Sequence, residues 1–145
     1  MRLRFTSREE AETTQSDFCS AVISITNPEA KPADIGSGWF DILRVQFHDI
    51  DLCKPISAHL RADILRKYSP MTEEQATTVV QFVARMFATG GVEGFLIHCE
   101  AGISRSAAVA KWIADRYRLP PLGPVVQYHN RHVYQMLEEA ANKEK

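Results

Sequence analysis

The run Gly94-Phe95-Leu96-Ile97-His98-Cys99 constrains this chain more than any other stretch. Its unbroken apolar core lacks the two-residue alternation of a strand with one wet face. That pattern predicts a strand covered on both sides, as in the interior of a parallel sheet. The run ends at Cys99, passes through a loop containing Gly102, and continues as "RSAAVAKW", the opening of a helix expected over 104–118. A buried strand that feeds a helix through a short loop belongs in an α/β domain with helices covering a central sheet.

The rest of the chain repeats this alternation. Arg2 to Phe5 reads as a short strand, and Ser7 with Glu10 three residues on makes the capping-box pattern of a helix start. Ser20 to Asn27 is rich in β-branched residues, and Phe40 to Phe47 is a second strong strand candidate. A helix is expected over 55–67, with Pro55 in its first turn. Another begins at Thr72, boxed by Gln75, and stops at Gly90-Gly91. A last helix is expected over 125–141. The expected architecture is one α/β domain over 1–145, with a mostly parallel sheet flanked by helices.

Composition narrows the function classes. Seventeen basic residues face eighteen acidic ones, for a formal net charge of −1, so no basic excess marks a binder of nucleic acid or of membrane surfaces. No segment approaches membrane-spanning length, and the expected location is cytoplasmic. The three cysteines, Cys19, Cys53 and Cys99, are widely separated, which argues against a disulfide framework or a structural metal. No metal or cofactor is expected.

The segment Cys99 to Ser106 carries chemistry. Ligand crevices of open α/β sheets lie at the carboxyl ends of strands, where loop amides and a helix N-terminus form an anion nest. Gly102 permits a turn that a side chain would resist. Arg105 brings a planar guanidinium that matches phosphate oxygens. The same positive field favours the thiolate form of Cys99, a nucleophile beneath a bound phosphoryl group. Ser106 is placed to hydrogen-bond the sulfur and ease its later departure. His98 is expected to order the loop.

His98-Cys99-Glu100-Ala101-Gly102-Ile103-Ser104-Arg105-Ser106 resembles the H-C-x-x-G-x-x-R-S signature of cysteine-dependent protein tyrosine phosphatases. The portion "AGISRS" looks most like the compact dual-specificity branch. The resemblance extends along the chain in order, through "SAVISITN", "LRVQFHDID", "GVEGFLIHC" and "HNRHVYQML". It implies Cys99 as nucleophile and a phosphate site built from Glu100, Ala101, Gly102, Ile103, Ser104 and Arg105. It also implies a general acid just past a strand. Matching Val45 and Phe47 to the family's alternating apolar positions puts Asp49 there, with Asp51 as the alternative. The chain departs from the family in one respect. Asp49 stands farther ahead of Cys99 than compact members place it, by about one helix, and the surplus lies in "DLCKPISAHLRADILRKYSPMTEE".

The function implied is hydrolysis of phosphomonoesters through a thiophosphoryl-cysteine intermediate, with a phosphotyrosine-containing protein as the leading substrate. Phosphoserine and phosphothreonine remain open, as does the oligomeric state. The rivals are a phosphoprotein-binding pseudophosphatase, a phosphatase of a non-protein phosphoester, and sulfur-transfer or arsenate-reducing relatives that also use a cysteine loop. Cys53 is either a bystander thiol or an oxidation partner of Cys99.

Overall fold

In the computed structural model, which describes residues 1–144, the strand ending at Cys99 lies inside a four-stranded sheet. The strands are β1 (Arg2–Thr6), β2 (Ser20–Thr26), β3 (Asp41–Gln46) and β4 (Gly94–His98), in the order β1-β4-β2-β3. Every pairing is parallel, with Ile97 level with Phe5 on one side and Ile23 on the other. The helices are α1 (Arg8–Thr13), α2 (Ala58–Lys67), α3 (Glu73–Ala88), α4 (Arg105–Arg116) and α5 (Arg131–Lys143).

Alternation along the central strands divides the interior into two layers. Ala21, Ile23, Ile25, Phe95 and Ile97 face the larger core, which is filled by α3, α4 and α5 through Val83, Met86, Trp112, Ile113 and Leu137. Val22 and Leu96 face the other way, onto Ala11 of α1 and onto Ala33, Ile35 and Trp39. This explains the unbroken apolar run. Phe95, Leu96 and Ile97 are 1%, 0% and 0% exposed, and each contributes about 1.5–3 kcal/mol of burial. Helices do not cover both faces equally, because residues 27–40 form an irregular connection. Trp39 closes it by donating its indole N–H to the Ile35 carbonyl at 2.8 Å.

Three local expectations are corrected. Pro55 lies outside α2, which starts only after Ser57 accepts the Leu60 amide as its cap. The helix expected over 125–141 divides into a 3-10 turn, Pro124–Val126, and α5, which begins after the Asn130 cap. Pro124 favours the tight turn, and the Asn130 side chain captures the Val133 amide, so the helix restarts there. α4 ends at Arg116, with Arg118 in the left-handed region at φ 56° before the prolines. The box at Thr72 and Gln75 is complete, each side chain holding the other's backbone N–H. Among the described residues, no helix is long and apolar enough to cross a membrane.

Candidate active site

Cys99 follows the last residue of β4 and is 2% exposed, so its sulfur lies at the floor of the loop rather than on the surface. Two contacts and a helix end define its surroundings. The Gly102 N–H donates to the sulfur at 3.2 Å, and the Ser106 hydroxyl stands 3.2 Å from it. Arg105 is the first residue of α4, so the positive end of a twelve-residue helix opens onto the same loop. The Gly102 N–H, the Ser106 hydroxyl and the helix end thus set polar groups around the sulfur, unlike a cysteine packed only among apolar side chains.

The loop is pinned from below by the first strand. The Cys99 amide donates to the Thr6 carbonyl at 3.4 Å, and the Arg8 amide to the Glu100 carbonyl at 3.1 Å. Gly102 passes so close to this junction that a Cβ on it would stand 2.4 Å from the Ser7 nitrogen. Its φ of 78° is also in the left-handed region. The Glu100 carboxylate turns aside to Arg8 at 3.4 Å, and Ile103 is 57% exposed at the rim. Glu100, Ala101 and Ile103 thus have no side-chain hydrogen bond into the pocket, and their contribution to an anion site is through backbone.

Arg105 is 4% exposed, and its fork is divided in use. Nη1 donates to the Phe47 carbonyl at 2.6 Å and to Asn27 Oδ1 at 2.8 Å, just beyond the ends of β3 and β2. Nε is buried with no partner. A buried guanidinium N–H without an acceptor is costly, and an anion in the loop would satisfy it. Nη1 thus fixes the orientation of the guanidinium, and Nε remains a buried donor without a partner.

His98 is fully buried beneath the loop. Its Nδ1 faces the Cys99 carbonyl at 3.2 Å, which can only accept, so Nδ1 carries the hydrogen. Nε2 then accepts from the Ser24 hydroxyl at 2.6 Å. Burial pushes the imidazole below the ordinary histidine value. The unfolded chain therefore binds the proton more readily, and the native state loses stability as pH falls below about 6.5. The slope from this one group reaches up to about 1.4 kcal/mol per pH unit. Urea unfolding of the protein and of His98→Asn between pH 8 and 5.5 checks this. Equal pH slopes in the two would contradict a buried neutral imidazole.

The two candidate acids have different surroundings. Asp49 is exposed at the mouth, where its Oδ1 accepts from the Ser104 hydroxyl and from Asn130 Nδ2, both at 2.8 Å. Both bonds converge on one oxygen, and neither engages Oδ2. Asp51 instead accepts the Arg131 and His132 amides at 3.1 Å each, and the Cys53 amide at 3.0 Å. Its carboxylate is thus occupied at the start of α5. Cys53 points its thiol at Gln135 of α5, 3.1 Å away, and all three cysteines are free.

Sequence reasoning missed three supports. Asn130 is 1% exposed; besides Asp49 it holds the Ile50 carbonyl by side chain and the Ser104 carbonyl by backbone. It ties the acid loop, the cysteine loop and α5 together. Its only sequence signal is that of a helix cap. Asn27, which orients Arg105, reads merely as a strand end. His48 latches the acid loop, accepting the Ser69 amide at 2.9 Å and donating to Glu29 at 2.9 Å. Of the aromatic residues near the strand ends, Trp39 and Phe47 are packed in the interior. Among the described residues, no cluster of histidine, cysteine and carboxylate side chains is arranged to hold a metal ion.

No protein-family model matches the chain, and no curated protein matches it either. Among solved structures, human DUSP28 is similar over 98% of this chain and 92% of that one, at 20% identity and a TM-score of 0.46. A single-site variant of the same human protein gives 20% identity over 98% of this chain and 90% of that one, at a TM-score of 0.49. A mouse protein assigned to the dual specificity phosphatases, complexed with zinc tungstate, is similar over 86% of this chain and 71% of that one. Its identity is 20% and its TM-score 0.42.

Proposed function

We propose that this chain is a cysteine-dependent phosphomonoester hydrolase acting on phosphotyrosine in proteins, like the phosphatases whose signature it resembles. The observation that carries the reading is the sulfur of Cys99, buried at a loop floor, receiving the Gly102 N–H and adjoining Ser106. Arg105, which opens the helix after that loop, keeps a buried Nε donor without a partner.

The chemistry follows from that placement. Arg105 and the loop amides bind the non-bridging oxygens, and their charge offsets the negative charge that the thiolate approaches. The Cys99 sulfur attacks phosphorus in line, forming a P–S bond as the P–O bond to the leaving group breaks. Asp49 gives its proton to the departing oxygen. A water then attacks phosphorus, Asp49 takes the proton from it, and the P–S bond breaks to free phosphate. The Ser106 hydroxyl donates to the departing sulfur and stabilises it as a thiolate.

Phosphate release from matched phosphotyrosine and phosphothreonine peptides, with a chelator present and Cys99→Ser as control, tests the proposal. Cys99-dependent release supports it, and the tyrosine-to-threonine ratio reports the selectivity of the pocket. Folded protein that releases phosphate from neither peptide would overturn it.

Asp49→Asn should lower kcat by about 100-fold or more for alkyl phosphates, in the range usual for a lost general acid. It should lower kcat much less for p-nitrophenyl phosphate, whose leaving group needs no proton. Asp51→Asn should instead act on stability, by unpairing the first amides of α5. The reverse pattern would reassign the acid.

A further inference from the structure

We propose that α2 and the cleft that its Ile64 helps to line form a docking surface for an acidic, apolar-containing segment of the phosphoprotein substrate; this rests on the function proposed above. The ten-residue α2 buries none of its side chains, and Leu60, Leu65 and Tyr68 are 48%, 45% and 46% exposed. A helix of this length is marginal by itself. It is tied down mainly by its Ser57 cap, by Arg61 on the Leu52 carbonyl at 3.3 Å, and by the edge of Tyr68 against His48. Its contribution to the core is small, so its position beside the pocket is the more informative property.

A cleft of about 230 Å³ is lined by Asp49 and Ser104, by Lys54 and Ile56 of the segment leading into α2, and by Ile64 of α2 itself. Ile56, Ile64 and Tyr128 give it apolar walls. A chain bound with its phosphoryl group over Cys99 would meet this cleft next. Asp51, the other carboxylate on the wall, is already held by the amides of α5.

Charge complementarity selects the occupant. Between Leu52 and Ser69 stand Lys54, Arg61, Arg66 and Lys67 against the single carboxylate of Asp63, in a chain whose formal net charge is −1. Asp63 pairs with Arg66. Neither Lys54 nor Lys67 has an ion-pair partner among the described residues. Such a surface attracts carboxylate side chains near the phosphorylated residue and repels basic ones. The apolar walls take a neighbouring aliphatic or aromatic side chain.

Fluorescein-labelled phosphotyrosine peptides, matched except for glutamate-rich or lysine-rich flanks, can be titrated into Cys99→Ser protein by fluorescence anisotropy. The acidic peptide should bind at least about tenfold tighter at low salt, and the gap should narrow as salt screens it. Lys54→Glu combined with Lys67→Glu should bring the two affinities to within about twofold, in keeping with a preference that is electrostatic in origin. Equal affinities before substitution would overturn the proposal. Displacement of the acidic peptide by an equally charged single-stranded oligonucleotide, at the same concentration, would also overturn it, since any polyanion would then suffice. Hydrolysis of p-nitrophenyl phosphate by the unsubstituted protein is read separately. Its absence beside an intact acidic preference would overturn the chemistry and support the docking surface.

Discussion

Cys99→Ser should abolish phosphate release while leaving phosphate binding in place. Serine keeps the volume and one lone-pair donor, but its hydroxyl does not ionise near neutral pH and is a far weaker nucleophile than a thiolate. The groups that hold the anion are untouched: the Gly102 amide, the N-terminus of α4 and the buried Arg105. Removing a nucleophile that acts as a unit with its neighbours costs at least about a thousandfold in kcat, or about 4 kcal/mol of barrier. Turnover of p-nitrophenyl phosphate and calorimetric titration with inorganic phosphate measure the two halves. Turnover near the level of the unsubstituted protein would end the covalent mechanism. Loss of phosphate binding alone would show that the sulfur itself holds the anion, against its assignment to the loop amides and Arg105.

Gly102→Ala should have the next largest effect, and it should reach stability as well as rate. The added Cβ would stand 2.4 Å from the Ser7 nitrogen and 2.5 Å from the Thr6 carbonyl carbon, both backbone atoms that cannot swing aside. The left-handed φ of 78° adds strain of its own. Overpacking and strain together should cost about 2–4 kcal/mol. Relief requires the loop to lift off the β1–α1 junction, which breaks the Arg8-to-Glu100 backbone bond and moves the Gly102 N–H off the sulfur. kcat/KM should therefore fall by about 100-fold or more, since misplacement by about 1 Å suffices for that. Urea midpoints and initial rates check both parts. A variant with native stability and native rate would show that the loop does not approach the first strand this closely.

Much of the fold was legible because its signals are local. β4 is a run of consecutive apolar residues, and α3 is announced by Thr72, Gln75 and the apolar spacing that follows. The strand–loop–helix order around Cys99 needs only neighbours in the chain. Partnership across the sheet is another matter. Asn27 and the Phe47 carbonyl reach Arg105 from strands far away in sequence, and nothing in "SITN" or "VQF" marks them for that contact. The helix misplaced over 125–141 failed for a related reason: its apolar residues are periodic, but the Asn130 side chain captures the Val133 amide and starts the helix later.

The sequence by itself determined the chemical inventory: a thiol, a glycine, a guanidinium and a hydroxyl at spacings that a strand-to-helix loop can gather, with two carboxylates past another strand. Those are matters of residue type and order along one short path. Tertiary structure alone decided how the groups are used. It tied Arg105 by Nη1 and left Nε without a partner. It brought Asn130 and Ser104 onto one oxygen of Asp49 while α5 claimed Asp51, and it left α2 without a buried residue, with Ile64 on the wall of a cleft. Hydrogen bonds between distant segments depend on which strands become neighbours. That is settled by the burial of the whole sheet and by no single stretch of chain.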